Sequence, residues 1–128
     1  MFFIKEVESL AIKGIGMDAI ELNRVHKAQE RNKRFCERIL TPNELQIFHS
    51  LQGIRQIEFL AGRFAAKEAY SKAFGTGIGA KLSFVDIEVV WDDFGKPIVT
   101  KGPFEGNVHV SLSHTKETAF AYVIFEDK

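Results

Sequence analysis

Sixteen consecutive residues constrain this chain more than any others: Phe64-Ala65-Ala66-Lys67-Glu68-Ala69-Tyr70-Ser71-Lys72-Ala73-Phe74-Gly75-Thr76-Gly77-Ile78-Gly79. The first part is rich in Ala, holds no Pro and stops at a Gly, where a left-handed cap is easiest, so a helix is expected. Upstream, Ile57, Leu60, Ala61 and Phe64 form one apolar stripe at helical spacing. At about 100° per residue, Ile57, Ala61, Phe64 and Glu68 fall within about 60° of one another. A carboxylate thus stands where the pattern asks for Leu or Ala, and a desolvated carboxylate takes a metal, a cation or a proton. Lys72 lies one turn on, so a surface i,i+4 salt bridge of about 0.2–0.5 kcal/mol is the plain alternative. That pair explains neither the in-stripe Glu nor the three glycines within Gly75–Gly79, which suit a sharp turn or a close approach to a ligand. The stretch is not a P-loop: it lacks the Gly-Lys-Ser/Thr ending, and its glycines follow a helix.

One domain is the expectation for 128 residues. Seventeen basic and seventeen acidic residues cancel, so no global field points to nucleic acid. Cys36 is the only cysteine, which excludes an intrachain disulfide and suggests a reducing compartment. No apolar run approaches the ~20 residues of a membrane span. Met1-Phe2-Phe3-Ile4 is soon interrupted by Lys5, Glu6 and Glu8, a poor signal peptide. A cytoplasmic location is the default.

Residues 1–12 read as an N-terminal extension, a short amphipathic lead-in, and 13–128 as the domain. Lys13–Leu22 is expected to be a strand, with Gly16, Asp18 and Ile20 on one face. Asp18 is then a second acid in an apolar setting, beside glycines that thin the backbone; capping the next helix is its alternative role. Residues 21–39 look helical, with a break near Asn32. Between Arg24 and Arg38 six basic residues face Glu30 and Glu37, with Phe35 and Ile39 beside them. Such a run is a solvated face or a docking surface for an acidic partner; its sparse aromatics make a nucleic-acid stripe the weaker reading. Thr41-Pro42-Asn43-Glu44 spells a capping box with Pro at the first helical position. Helical pattern resumes near Arg55. Beyond Gly79 the period becomes two: Val85, Ile87, Val89 and Trp91 are expected on one strand face, 92–97 as a turn, and Pro97-Ile98-Val99 as a returning strand. Val108–Ser113 and Phe120–Phe125 alternate as a hairpin, with Ser113-His114-Thr115 at a strand end. His114 there is either an ordinary turn residue or an imidazole aimed at a ligand phosphate.

The residues add up to two acids in apolar settings, a lysine a turn from one of them, a glycine loop and a histidine at a strand end. One Cys cannot make a zinc site alone. Hard oxygen ligands without thiolates favour Mg²⁺, which takes one or two carboxylates plus substrate phosphates. A Mg²⁺-assisted reaction on a phosphorylated small molecule is the best reading of the residues themselves.

Three motifs, Gly14-Ile15-Gly16-Met17-Asp18-Ala19-Ile20-Glu21-Leu22-Asn23-Arg24, Phe64–Gly77 and Val110-Ser111-Leu112-Ser113-His114-Thr115, occur in an order and spacing that resembles holo-acyl-carrier-protein synthases, the small single-domain 4′-phosphopantetheinyl transferases. The resemblance covers residues 13–125; Met17, where a β-branched residue is usual, and the first dozen residues depart from it. It implies an α+β fold, a helical first half packed on an antiparallel sheet from the second, and homotrimers with the site between subunits. It implies transfer of phosphopantetheine from coenzyme A to a serine of apo acyl carrier protein. On matching positions, Asp18 and Glu68 would hold Mg²⁺, Lys72 would offset phosphate charge, and His114 would contact the nucleotide. Glu68 would help deprotonate the serine. Gly75 and Gly77 would let the loop approach coenzyme A, Arg55 and Arg63 would reach it across an interface, and Arg24, Arg31, Arg34, Phe35 and Arg38 would dock the acidic carrier. Two rival classes are a non-catalytic coenzyme A or nucleotide-binding module, indifferent to loss of the acids, and a nucleic-acid or partner-binding protein using the 24–38 helix. The latter would show steep salt dependence without need of Mg²⁺.

Overall fold

The computed structural model describes residues 11–128, so the lead-in expected over residues 1–12 lies almost entirely outside the described residues. A long helix, α4 (Ile54–Phe74), is the element on which the rest is built; at 21 residues it is about 32 Å long. Gly53 precedes it with φ 62°, and Gly75 ends it in the left-handed region with φ 98°. The Gly75 N–H donates to the carbonyls of Ser71 and Lys72, which closes the last turn. Ala61, Ala65, Ala66 and Ala69 are buried along α4.

Against it lies an antiparallel sheet of β1 (Ile12–Glu21), β5 (Thr118–Glu126) and β4 (Asn107–His114), in that spatial order. Ala119, Ala121, Val123 and Phe125 point from β5 onto the helix and are buried. On β1 the inward positions include Gly14 and Gly16, and the reason is steric. A Cβ on Gly16 would sit 1.9 Å from the Ala69 carbonyl oxygen, and one on Gly14 2.3 Å from that of Ala73. Helix and strand therefore meet backbone to backbone. The opposite sheet face is apolar yet open: Ile15 is 64% exposed, Tyr122 49% and Met17 44%.

The helices α1 (Leu22–Arg31), α2 (Phe35–Ile39) and α3 (Pro42–Ser50) complete the first half, and the chain breaks at Asn32 as expected. Thr41 caps α3 through the reciprocal box with Glu44, and Pro42 opens the helix. A two-stranded sheet, β2 (Glu88–Trp91) with β3 (Pro97–Lys101), makes a separate hairpin. One expectation needs correcting: residues 84–86 are a turn of 3₁₀ helix, not the start of a strand. The Ser83 N–H donates to Asp86 Oδ2, and this local capping bond overrides the alternation of apolar residues. The architecture is α+β, with β1 from the first half completing the sheet of the second. Among the described residues no helix is long and apolar enough to cross a membrane.

Candidate active site

The glycines of β1 matter because of the residue that follows them. Gly14, Gly16 and Asp18 share the inward face, so the close backbone contact at Gly16 brings Asp18 against α4. Lys72 Nζ then donates to Asp18 Oδ1 at 3.0 Å and to the Met17 carbonyl at 3.1 Å. The ammonium thus joins strand to helix across 54 residues and does not form the surface pair with Glu68. Nor does Asp18 cap the following helix: the N-cap of α1 is Glu21, without a side-chain cap bond.

Glu68 is half-buried one turn before Lys72. Burial, and next the Asp18 charge, hold its carboxyl above the ordinary value, while Lys72 pulls the other way. A half-buried carboxyl held up by burial and by the charge of a neighbouring carboxylate makes a site that a hard cation would occupy. Oxygen donors alone face it, and among the described residues no cluster of three or more His, Cys, Asp or Glu offers a fuller ligand set. The donor set therefore fits Mg²⁺ shared with substrate phosphates. The loop beyond is shaped by its glycines: Gly75 and Gly77 have φ 98° and 68°, and both N–H groups donate to the Ser71 carbonyl.

The raised proton affinity of Glu68 sets a testable pH dependence. Its neutral form is favoured by folding, so its contribution to stability grows as pH falls through the raised folded pKa and is lost above it. Glu68→Gln, which removes that charge, should raise the melting temperature by about 2 °C at pH 8. The gain should shrink towards pH 4, as melting curves at the two pH values will show.

His114 lies elsewhere. It ends β4, and its Nδ1 contacts the Thr115 carbonyl at 3.2 Å and the Glu58 carboxylate at 3.8 Å. With Arg55, Glu58, Phe59, Arg63 and Trp91 it lines a cleft of about 280 Å³. Arg63 is 3% exposed. Its Nε donates to the Val89 carbonyl at 3.0 Å, and its guanidinium lies 4.1 Å from the Phe59 ring centroid and 5.0 Å from that of Trp91. Burial pulls this guanidinium down to about 10, and Nη2 is buried without a hydrogen-bond partner. An orphaned donor beside Arg55 and His114 suits an anionic ligand.

The structure thus brings Asp18, Glu68 and Lys72 together, and separately Arg55, Arg63 and His114. Glu58 and Glu68 stand ten residues apart on one helix, so the two groups are about 15 Å apart along its axis. Glu58 and Phe59 escaped the sequence reading, and Trp91 is expected there only as a strand-face residue. Only the singular Trp signalled them, because the cleft is assembled by packing β2 on α4.

A third feature is the basic face of α1 and α2. Arg24, Arg31, Arg34 and Arg38 are exposed there, and the Arg38 guanidinium lies 5.8 Å from the ring centroid of half-buried Phe35. Lys33 pairs with Glu30 and Arg34 with Glu37; among the described residues Arg24, Lys27, Arg31 and Arg38 have no carboxylate within ion-pair distance.

A long helix and a glycine-thinned strand, each bringing one acid to the contact between them, define an α+β protein with a carboxylate pair at its helix–sheet junction. Residues 14–124 match the sequence profile of the 4′-phosphopantetheinyl transferase superfamily. The chain is 56% identical over 116 residues to a holo-[acyl-carrier-protein] synthase of Bacillus pumilus, covering 90% of this chain and 96% of that one. The crystal structure of a Bacillus anthracis holo-(acyl-carrier-protein) synthase in complex with CoA (3′,5′-ADP) superposes with a TM-score of 0.85 at 56% identity, covering 91% of this chain and 98% of that one. That of a Helicobacter pylori holo-[acyl-carrier-protein] synthase in complex with coenzyme A gives 0.77 at 33%, covering 87% and 98%. The chain belongs to the 4′-phosphopantetheinyl transferase superfamily.

Proposed function

We propose that this chain is a Mg²⁺-dependent transferase that moves 4′-phosphopantetheine from coenzyme A to a serine of apo acyl carrier protein. The observation that carries this reading is the Asp18–Lys72–Glu68 constellation on the β1–α4 contact, in a chain so similar to carrier-protein synthases. The serine oxygen attacks the phosphorus that bears pantetheine, the pyrophosphate P–O bond breaks, and adenosine 3′,5′-bisphosphate leaves. Glu68 helps to take the serine proton, directly or through a water. Lys72 meets phosphate charge as a point cation. Asp18 and Glu68 would hold the ion, which when bound would neutralise pyrophosphate oxygens. Gly75 and Gly77 let the loop backbone come close to the ligand. The transferase domain spans 13–128, and a cytoplasmic location is supported by a lone, buried Cys36.

His114, Arg55 and Arg63 hold the nucleotide end of coenzyme A, a role supported by the orphaned Nη2 of Arg63. Because these residues and the acids lie far apart in one chain, the reading includes a homotrimer with the site shared between protomers. The exposed apolar face at Ile15, Met17 and Tyr122 supports such burial. The acids of one protomer then meet the cleft of its partner. Mixing equal amounts of Glu68→Ala and His114→Ala protomers, each inactive, should restore about a quarter of the sites in a shared-site ring. No recovery after dissociation and reassembly argues for sites within single chains.

Arg24, Arg31, Arg34, Phe35 and Arg38 dock the acidic carrier. Reversing Arg31 and Arg38 to Glu should raise the KM for apo carrier at least about tenfold and leave that for coenzyme A unchanged. The test of the whole reading is mass spectrometry of apo acyl carrier protein incubated with the chain, coenzyme A and Mg²⁺. A gain of one phosphopantetheine, lost with EDTA, is expected. Tight coenzyme A binding without transfer would favour a binding module.

A further inference from the structure

We propose that Lys67 is a positioning residue whose buried ammonium fixes α2, which carries part of the docking face, to the turn of α4 that carries Glu68. Lys67 and Glu44 are both 0% exposed, deep in the core, and take no part in the chemistry above. Lys67 Nζ donates to Glu44 Oε1 at 2.5 Å and to the Ile39 carbonyl at 2.6 Å. The Glu44 carboxylate is satisfied in turn by the Thr41 N–H at 2.8 Å and the Val89 N–H at 2.7 Å. One ammonium thus joins α2, α3 and α4, and through Glu44 also β2.

Ile39 is the last residue of α2, and its carbonyl belongs to the group that a helix cannot satisfy from within. At five residues α2 is too short to stand alone; burial of Cys36 and Ile39 seats it on the core, and the bonds at its ends set its direction and register. At its start Gln29 Oε1 accepts from the Cys36 N–H and Asn32 Oδ1 from the Arg34 N–H, both at 3.0 Å. Those contacts are local to the α1–α2 junction. The Ile39 carbonyl is where α2 is hydrogen-bonded to α4, 28 residues away. Lys67 precedes Glu68, so the tie and the acid share one helical turn. A buried ion pair adds little stability over a well-packed apolar pair, but its hydrogen bonds are directional. Phe35 and Arg38 are thereby held at a set distance from the acids, so that a docked carrier presents its serine to Glu68. This inference rests on the reading of α1 and α2 as the docking face.

The test is a neutral replacement, Glu44→Gln with Lys67→Met, which removes the tie and both charges of the ion pair together; the coenzyme A constant reads any effect on Arg63, whose guanidinium also feels the Glu44 charge. The KM for apo acyl carrier protein should rise about tenfold, with that for coenzyme A within about twofold. Glu44→Gln alone leaves the Lys67 ammonium without a counter-ion and should lower stability, but it keeps the bond to the Ile39 carbonyl, so in the folded protein the carrier KM should stay within about twofold of wild type. Carrier and coenzyme A constants that both stay put, or that rise together, overturn the proposal. If the double variant does not fold, hydrogen exchange of the unaltered protein decides. The Leu40 amide, bonded to the Cys36 carbonyl at the end of α2, should be protected to within about tenfold of Ala66 in α4. Exchange at Leu40 a thousandfold faster or more (about 10³) would show that the tie does not hold α2. The Arg31→Glu, Arg38→Glu protein serves as the control on docking. If its carrier KM is unchanged, the docking reading fails and the exchange result still tests the tie itself.

Discussion

Asp18→Asn and Glu68→Gln should each lower the rate of carrier modification by about 10³-fold while leaving the fold intact. Both substitutions keep the shape of the side chain and remove only its charge. In Asp18→Asn the amide oxygen can still accept from Lys72, which now donates to Oδ1 at 3.0 Å, so the strand–helix junction survives. On the proposed reading the two carboxylates would hold a divalent cation, and losing the charge of one would remove several kcal/mol of stabilisation from the transition state. Each 1.36 kcal/mol corresponds to about tenfold, which gives the magnitude. Coenzyme A affinity measured without metal should change little. A variant retaining more than about a tenth of wild-type turnover would show that the acid is not needed in that role.

Gly16→Ala should be among the most destabilising single-methyl changes in the chain. The added Cβ would lie 1.9 Å from the Ala69 carbonyl oxygen and 2.9 Å from the Ala73 nitrogen, both backbone atoms that no rotamer change can move. α4 must shift off β1, opening the contact that buries Ala69 and Val123. Overpacking of this kind costs about 3 kcal/mol, which for a chain of this size lowers the melting temperature by about 10 °C. Activity should fall with it, since Asp18 stands two residues along the same strand face. Gly79→Ala is the stability control: nothing lies within 4 Å of its would-be Cβ, and its melting temperature should stay within about 2 °C of wild type. Equal melting temperatures for the two variants would mean that the β1–α4 contact is not held as tightly as the backbone distances require.

Much of this was legible from residues alone because it is written in local rules. The Ala-rich run ending at Gly75, the break at Asn32, the Thr41–Glu44 box and the alternation of the final hairpin all depend on contacts within a few residues. Where two local rules competed, period lost to capping: Ser83 and Asp86 turned 84–86 into 3₁₀ helix although Val85 and Ile87 fit a strand. The two acids were visible as carboxylates out of place in apolar patterns. Their relation to Lys72 was not, since sequence spacing favours Glu68 and the ammonium is on Asp18.

By itself, then, the sequence determined the elements, the acids and the basic face, through hydrogen bonds and periodicities that span one or two turns. Tertiary structure decided which charges distant in the chain meet. It brought Asp18 to Lys72 through the backbone contact that Gly16 permits, and it built the Arg63 cleft from α4 and β2. It also placed the Lys67 ammonium on a helix end 28 residues away. The physical reason is common to all three. A charged group takes whichever partner packing brings within about 3 Å, most stringently where it is desolvated as at Lys67 and Arg63, and that partner need not be near in the chain.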